Sequence, residues 1–212
     1  MSSAPIPVLV EVRAARRHVR RIADLVVLAL TMPIVLPVIA VLAVVVKLDS
    51  PGPAFVRIQR LGRDGRPFGL LKLRTMGRDA EQLKRTLEQL NVLPWPDFKV
   101  ADDPRVTRAG RWLRRSSLDE LPQLYNVLRG EITFIGPRPC SIALDHYELW
   151  QTERLDVTPG LIGRWQADGR GTLDFAGRCR LDIRQAQLRS IRLNLQLVAG
   201  TVRSVLTAKG AY

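Results

Sequence analysis

Residues Leu25–Val46 read LVVLALTMPIVLPVIAVLAVVV, a run of 22 positions without a charged side chain. About 20 apolar residues suffice to span a bilayer as a helix, and a core helix of a soluble protein rarely stays apolar on every face for this length. The run is longer than the apolar region of a typical signal peptide, and no A-x-A-like cleavage site follows it. The stretch therefore predicts a membrane element near the N-terminus.

Two features of this segment argue against a plain straight span. Pro33 and Pro37 lie in its middle, and each predicts a kink or break because proline removes a backbone donor and clashes with the preceding turn. Both flanks are rich in arginine, which the positive-inside rule assigns to the cytoplasm. A helix that bends at the prolines and returns would satisfy both features, with arms of about 12 residues, or about 18 Å, against a core of about 30 Å. A single kinked span is the alternative, and the residues alone leave the two open.

The rest of the chain is basic and poor in cysteine and histidine. Lys and Arg number 33 against 20 Asp and Glu, a net charge of +13, which attracts nucleic acid, anionic lipid head groups or phosphorylated substrates. Cys140 and Cys179 form no CxxC pattern, which argues against a disulfide framework or a structural zinc site and fits a reducing compartment. With only two histidines, any chemistry rests on carboxylates, arginines and a hard metal ion.

Beyond the apolar segment the pattern predicts an α+β fold that is mostly α-helical with a small β-hairpin. Two short strands, 54–60 and 68–74, flank a glycine-rich turn at 62–65. The predicted helices cover 78–91, 107–115, 118–128, 142–152, 174–188 and 190–207. Pro159 and Gly160 begin a predicted loop.

The stretch Arg114-Arg115-Ser116-Ser117-Leu118-Asp119-Glu120-Leu121-Pro122 is the most informative for chemistry. Ser117 and Glu120 fit a capping box, so an ordinary helix start explains the pattern locally. The functional interpretation is that a carboxylate at this helix start stays ionised and acts as a nucleophile on phosphorus. Neighbouring arginines would bind phosphate, and the second carboxylate would hold Mg²⁺.

Other motifs narrow the function classes. Gly136-Pro137-Arg138-Pro139 places one arginine on a stiff turn, which is either an ordinary turn or a phosphate contact. Neither GxxxxGKS/T nor GxGxxG occurs, so a nucleotide-binding loop has no support. The four tryptophans form no ladder with basic residues, which weakens a nucleic-acid interpretation. A membrane-tethered nucleic-acid-binding protein remains the alternative, because the net charge alone permits it.

Taken in order, these motifs resemble the bacterial sugar transferase family, the small monotopic phosphoglycosyl transferases, from about Arg20 to Tyr212. The strings that carry the resemblance are Leu71-Lys72-Leu73-Arg74-Thr75-Met76, Asp103-Pro104-Arg105-Val106-Thr107, the Arg114–Leu124 stretch, Asn126-Val127-Leu128-Arg129-Gly130, Ile135-Gly136-Pro137-Arg138-Pro139, Pro159-Gly160-Leu161, Trp165-Gln166 with Gly169-Arg170, and Gly210-Ala211-Tyr212.

The resemblance implies transfer of a sugar-1-phosphate from a UDP-sugar to undecaprenyl phosphate, with release of UMP, as the first membrane step of exopolysaccharide or glycoconjugate synthesis. Asp119 matches the nucleophile that forms a phosphosugar-aspartyl intermediate in a ping-pong sequence, and Glu120 matches its Mg²⁺-binding partner. Arg114 and Arg138 match positions that contact phosphate, and Arg170 falls in a glycine-arginine loop with a donor-binding role.

The resemblance also implies a re-entrant membrane helix that breaks at a Ser-Pro pair. Here Leu36-Pro37 stands at that place without the serine, and Pro33 is additional. The chain then divides into a basic lead-in (1–21), a re-entrant helix (22–48) and a catalytic domain (49–212) on the cytoplasmic face of the bacterial inner membrane. The expected partners are the donor, the acceptor and inner-leaflet lipid, without nucleic acid. The sugar and the oligomeric state, including a homodimer, stay open.

Overall fold

The computed structural model describes residues 7–92, 98, 100–168, 173–187 and 190–206. The α-helices are α1 Pro7–Asp49, α2 Ala80–Thr86, α3 Arg108–Ser116, α4 Leu124–Arg129, α5 Arg164–Asp168, α6 Phe175–Gln187 and α7 Ile191–Leu206. The strands are β1 Phe55–Leu61, β2 Pro67–Leu73, β3 Thr133–Ile135 and β4 Gly160–Ile162. Short 3-10 helices lie at Arg63–Gly65, Glu88–Leu90, Leu118–Gln123, Leu144–His146 and Leu149–Leu155. The prediction of a mostly helical α+β fold with a hairpin is confirmed.

The hairpin pairs β1 with β2 antiparallel, from Phe55 opposite Leu73 to Leu61 opposite Pro67. Its turn uses two left-handed residues, Asp64 at φ 56° and Gly65 at φ 70°. Aspartate and glycine tolerate this region better than other residues, so the turn closes at little steric cost. The predicted hairpin is therefore found where the glycines indicated it.

A second small sheet pairs β3 with β4 in parallel, a feature that the sequence did not predict because the β4 residues fall in the predicted loop. The backbones approach so closely that a Cβ on Gly160 would lie 2.1 Å from the nitrogen of Gly136. Because parallel strands end at the same edge of a sheet, the chain after β3 meets the chain after β4. A Cβ on Gly163 would accordingly lie 3.2 Å from the backbone nitrogen of Arg138.

Helix α1 joins the basic lead-in and the apolar segment into one helix of 43 residues. Pro33 and Pro37 lie inside it, so neither proline ends the helix, although a proline inside a helix can still kink it. Its Arg17–Asp49 part is long and apolar enough to cross a membrane, and only 11% of its most apolar window is buried. A helix with so little burial is unlike the core helix of a soluble protein.

One stripe of α1 nevertheless packs on the domain along its length. Leu28 joins a core cluster with Leu70, Leu124, Val127 and Ile132. Further along the helix, Leu42 and Val46 join a second cluster with Ala54, Leu73 and Leu113. The opposite face presents exposed apolar side chains: Leu25, Val26, Val27, Leu30, Ile34, Leu36, Val38, Val41, Val44, Val45 and Leu48. The first cluster contacts α1 before the prolines and the second contacts it after them. Packing on the domain therefore supports the helix on both sides of Pro33 and Pro37.

Polar contacts hold the N-terminal end of this stripe. Arg21 donates to the carbonyls of Val127 and Leu128 at 2.5 Å each, at the C-terminus of α4. A cation is favourable there because the last carbonyls of a helix carry partial negative charge. The buried Asp24 accepts a 2.7 Å hydrogen bond from the hydroxyl of Thr133 on β3.

Polar contacts also hold the C-terminal end of α1. The Asp49 carboxylate accepts from the backbone N–H of Ala109 at 3.1 Å, in the first turn of α3. The buried Arg74 donates to the carbonyls of Ser50, at 2.6 Å, and Pro51. Both ends of the apolar segment are therefore tied to the same domain.

Several helix boundaries differ from the sequence predictions. The predicted helix 142–152 is wrong: two 3-10 helices occupy this region, because Glu148 forms a capping box with Gln151 and starts a new turn at Leu149. The predicted helix 118–128 begins as a 3-10 helix and becomes α-helical only at Leu124. In place of the predicted helix 78–91, the structure has the shorter helix α2, which ends at Thr86, and one 3-10 turn at Glu88–Leu90. Helices α3, α6 and α7 lie within a residue or two of their predicted ends.

Candidate active site

The two candidate carboxylates lie on the 3-10 helix Leu118–Gln123, named here the DE turn. Helix α3 ends at Ser116, and Ser117 adopts a left-handed conformation (φ 57°) whose N–H donates to the Arg114 carbonyl at 3.2 Å. The predicted capping box is wrong, because the Ser117 side chain makes no capping hydrogen bond. The left-handed residue instead reverses the chain and directs Asp119 and Glu120 toward the hairpin.

Lys72 on β2 bridges the two carboxylates. Its Nζ lies 3.0 Å from Oδ2 of Asp119 and 3.1 Å from Oε1 of Glu120. The Lys72 and Asp119 side chains are only 18% and 8% exposed, so water screens this contact weakly. The ammonium offsets the repulsion between two adjacent carboxylates and holds them side by side.

Arg138 closes the other side of Glu120. Its guanidinium pairs with the Glu120 carboxylate and donates to the Leu161 carbonyl on β4 at 3.2 Å. The amide oxygen of Gln123, at the end of the DE turn, lies 3.4 Å from the same guanidinium. The meeting of the β3 and β4 ends thus brings the Gly136–Pro139 turn to the DE turn.

These charges determine the ionisation of Glu120. Burial alone would raise the pKa of this carboxyl, but Arg138 and Lys72 outweigh it and lower the pKa from 4.5 to about 2. Arg60 belongs to the same charged surroundings: burial lowers the pKa of its guanidinium, and Glu120 partly offsets this. Glu120 is therefore an anion at any physiological pH.

Arg114 lies in the last turn of α3, close enough to Asp119 for their charges to interact. Its Nε donates to the Thr75 hydroxyl at 2.9 Å. Helix α3 reaches this position because Gly110 has no side chain: a Cβ there would lie 2.2 Å from the Thr75 carbonyl oxygen. Burial lowers the pKa of the Arg114 guanidinium and the nearby Asp119 raises it. The structure places Asp119, Glu120, Arg114 and Arg138 together.

Arg170, the fifth predicted site residue, lies outside the described residues. The segment leading to it is described. Gln166 accepts from the N–H of Gly163 at 2.8 Å, and Gln185 accepts from the N–H of Arg164 at 2.8 Å. These amides fix the start of α5 next to the Arg138 turn.

The carboxylate pair fits the ligand chemistry of Mg²⁺. Among the described residues no group of three or more His, Cys, Asp or Glu side chains could hold a metal ion. Mg²⁺ is usually bound by one or two carboxylates together with substrate phosphates, so two adjacent carboxylates meet its requirement. Lys72 and Arg138 both contact Oε1 of Glu120, and neither of these contacts involves Oε2.

The sequence did not single out Lys72, Thr75 or Gln123 as site residues. Lys72 and Thr75 appeared within the string Leu71–Met76 that carries the family resemblance, with no role assigned to either. The available signal for Lys72 was its place in a predicted strand that also carries Leu70 and Leu73, both buried, because a charge close to a core needs a partner.

A model described as "Bacterial sugar transferase" matches residues 15–208. A galactosyl transferase, CpsE, of Streptococcus agalactiae is 40% identical over 164 residues, 76% of this chain and 36% of that protein. A UDP-glucose:undecaprenyl-phosphate glucose-1-phosphate transferase of Caulobacter vibrioides is 39% identical over 207 residues, 91% of this chain and 72% of that protein. The exopolysaccharide production protein ExoY of Sinorhizobium fredii is 34% identical over 200 residues, 91% of this chain and 88% of that protein.

The chain thus spans about a third of the streptococcal relative and most of the other two. The family match covers most of the described fold and includes the DE turn and the Arg138 turn. The chain belongs to the bacterial sugar transferase family.

Proposed function

We propose that this protein transfers a sugar-1-phosphate from a UDP-sugar to undecaprenyl, or another polyprenyl, phosphate and releases UMP. The observation that carries the proposal is the pair formed by buried Asp119 and partly buried Glu120, bridged by Lys72 and flanked by Arg138 and Arg114. The name of the Caulobacter relative, a glucose-1-phosphate transferase that acts on undecaprenyl phosphate, supports the reaction class. One acidic nucleophile surrounded by cations is the arrangement that transfer of an anionic phosphoryl group requires.

In the first step an oxygen of the Asp119 carboxylate attacks the sugar-bearing phosphorus of the donor. A P–O bond forms to Asp119, the P–O bond to UMP breaks, and UMP leaves with the electron pair. The cations Arg138 and Arg114 bind the donor phosphates and stabilise the charge that develops on their oxygens. Lys72 holds the Asp119 carboxylate in place before the attack.

Glu120 is the residue that would hold Mg²⁺ beside the donor pyrophosphate. When bound, the ion neutralises phosphate charge and makes UMP a better leaving group. The pKa of Glu120 at about 2 keeps its carboxylate ionised and ready to bind a cation.

In the second step an oxygen of the polyprenyl phosphate attacks the phosphorus held on Asp119. The new P–O bond gives the lipid-linked sugar diphosphate, and the Asp119 carboxylate is released unchanged. The order is ping-pong, because UMP leaves before the acceptor reacts. A single buried carboxylate then serves both half-reactions.

The proposal includes a re-entrant α1 that enters and leaves the cytoplasmic face of the inner membrane. Its support is the attachment of both ends to one domain, through Arg21 and Asp24 at one end and Asp49 at the other. A span that separates these ends across a bilayer would have to break one set of contacts. The exposed apolar face of α1 is the surface that would meet lipid.

Cysteine labelling tests this topology. In a background without the two native cysteines, single cysteines replace Ala23 and Ser50, which lie just outside the ends of the apolar run. We expect a membrane-impermeant maleimide to label both in inverted vesicles and neither in intact cells. Labelling from opposite sides would contradict re-entry and leave a single kinked span.

A panel of radiolabelled UDP-sugars tests the reaction. With undecaprenyl phosphate and Mg²⁺, at least one donor should give lipid-linked sugar and UMP, and Asp119→Asn should abolish both products. Turnover of no donor would contradict the proposal. Steeply salt-dependent DNA binding without turnover would instead favour the membrane-tethered nucleic-acid-binding alternative.

A further inference from the structure

Arg154 is a buried arginine that the proposed chemistry does not use. It lies on the 3-10 helix Leu149–Leu155 and is only 4% exposed. Its Nη2 donates to the backbone carbonyl of Arg138 at 2.8 Å and to the Asp182 carboxylate at 2.5 Å. The hydroxyl of Tyr147 lies 3.3 Å from its Nη1. One guanidinium thus joins the Arg138 turn, α6 and the segment between them.

The Arg138 turn depends on donors from outside itself. Pro137 and Pro139 have no backbone N–H, so hydrogen bonds within the turn are few. The Pro137 carbonyl is satisfied by the N–H of Gly160 at 2.7 Å, and the Arg138 carbonyl by Arg154. Two consecutive carbonyls of the turn are thus held by different elements, one by β4 and the other by the 3-10 helix Leu149–Leu155.

The Asp182 carboxylate fixes the position of the Arg154 guanidinium. The Asp182 carboxylate is fully buried on α6, and among the described contacts its hydrogen bond is to Arg154. Burial alone would lower the pKa of the Arg154 guanidinium, but Asp182 and its neighbours keep it above the usual value. The cation is therefore permanent, and the Phe175 ring 5.9 Å from the guanidinium carbon further limits its movement.

We propose that Arg154, held by Asp182, is a positioning residue that aims the Arg138 guanidinium at Glu120 and the donor phosphate. The hydrogen bond from Arg154 to the Arg138 carbonyl fixes the backbone at Arg138, and the backbone sets the direction of the Arg138 side chain. Without this bond the turn keeps the Gly160 contact and can rotate, so Arg138 loses its fixed distance to Glu120. The identity of the reaction rests on the proposed function, whereas the positioning contact does not.

The test separates positioning from folding. Arg154→Met alone leaves the Asp182 charge buried without a partner and is expected to destabilise the fold. The double variant Arg154→Met with Asp182→Leu replaces the ion pair by apolar side chains, which is often neutral for stability. We expect it to melt within a few degrees of wild type and to lose roughly 10- to 100-fold in kcat/KM, because a small misplacement of a positioned group has an effect of this size.

A double-mutant cycle shows whether Arg154 acts through Arg138. The triple variant, which adds Arg138→Met to the Arg154/Asp182 variant, should have the same kcat/KM as Arg138→Met alone. Once the Arg138 guanidinium is gone, Arg154 has nothing left to position. Arg21→Met is the matched control, because Arg21 also donates to backbone carbonyls but at the end of α4, and its effect should add to that of Arg138→Met. Additive effects for Arg154, or a stable Arg154/Asp182 variant with wild-type kcat/KM, would overturn the proposal.

Hydrogen–deuterium exchange gives a readout that needs no turnover. The peptide around residues 133–142 should exchange faster in the Arg154/Asp182 variant and at the wild-type rate in Arg21→Met. If wild type turns over no UDP-sugar, the proposed function fails and this exchange still decides whether Arg154 holds the turn. Unchanged exchange in a folded Arg154/Asp182 variant would refute the positioning role while leaving wild-type turnover as the test of function.

Discussion

Replacing Lys72 by methionine removes the cation that bridges the two candidate carboxylates, Asp119 and Glu120, while keeping most of the side-chain volume. Asp119 and Glu120 are neighbours in sequence, and Lys72 Nζ lies 3.0 Å and 3.1 Å from their oxygens. In the variant Glu120 keeps its contact with Arg138, but no ammonium bridges the two carboxylates. We expect them to move apart or to take up a proton, so that Asp119 is no longer an aligned anion.

The magnitude follows from the distances. Two unit charges 3 Å apart attract by on the order of 5 kcal/mol at an effective dielectric constant of about 20. Desolvation of the partly buried Lys72 offsets part of each contact. A loss of about 2 to 4 kcal/mol of transition-state stabilisation remains, which corresponds to a fall in kcat/KM of roughly 30- to 1000-fold.

Release of UMP from a UDP-sugar in the presence of polyprenyl phosphate measures this effect. Lys72→Arg, which keeps the charge but not its point geometry, should fall between wild type and Lys72→Met. Lys84→Met is a matched control, because Lys84 lies 5.6 Å from the centre of the Phe98 ring and away from the DE turn. A folded Lys72→Met protein with more than about a third of wild-type kcat/KM would refute the reasoning, since that loss is far below the roughly 30-fold minimum.

Three further predictions concern stability. The folded pKa of Glu120, about 2 against 4.5, means that its carboxylate stabilises the fold above about pH 4.5 and that this stabilisation, about 3 kcal/mol, is lost as pH falls toward 2. Glu120→Gln should flatten that part of the pH–stability curve in urea titrations, and an unchanged curve would contradict the assignment. Asn126→Ala should lower the free energy of unfolding by about 2 to 4 kcal/mol, because the amide bonds the N–H of Leu71 and the carbonyl of Gly69 on β2; a loss under about 1 kcal/mol would contradict it. Gly160→Ala should cost at least about 3 kcal/mol, whereas Gly77→Ala, whose Cβ would meet no atom closer than 4.0 Å, should melt like wild type.

Local chemistry predicted the features that depend on neighbours in sequence. The hairpin was predicted from two short strands around the glycine-rich turn at 62–65, where Asp64 and Gly65 supply the left-handed conformations. Helix α3 was predicted at 107–115 and lies at Arg108–Ser116, where Thr107 caps it by accepting from the N–H of Gly110 at 3.0 Å. The order of motifs predicted Asp119 and Arg138 as site residues, and the structure brings Arg138 into contact with Glu120, the neighbour of Asp119.

Features that depend on distant contacts were not predictable from local pattern. Lys72 and Asp119 are 47 residues apart in the sequence. The hydrophobic pattern of neither segment predicts that β2 packs on the DE turn. Strands β3 and β4 have three residues each, too few to show an alternation. Pro33 and Pro37 predicted a kink or break from local sterics, and the helix continues past both, with α1 packed on the domain on either side of them.

Incubation of the protein with a UDP-sugar in the absence of polyprenyl phosphate tests the central claim most directly. The account predicts a burst of about one UMP per active site and an intact-protein mass increase of one sugar phosphate, mapped to Asp119 and absent in Asp119→Asn. Subsequent addition of polyprenyl phosphate should remove the adduct and give the lipid-linked sugar. Release of UMP only when polyprenyl phosphate is present, with no adduct on Asp119, would contradict the account.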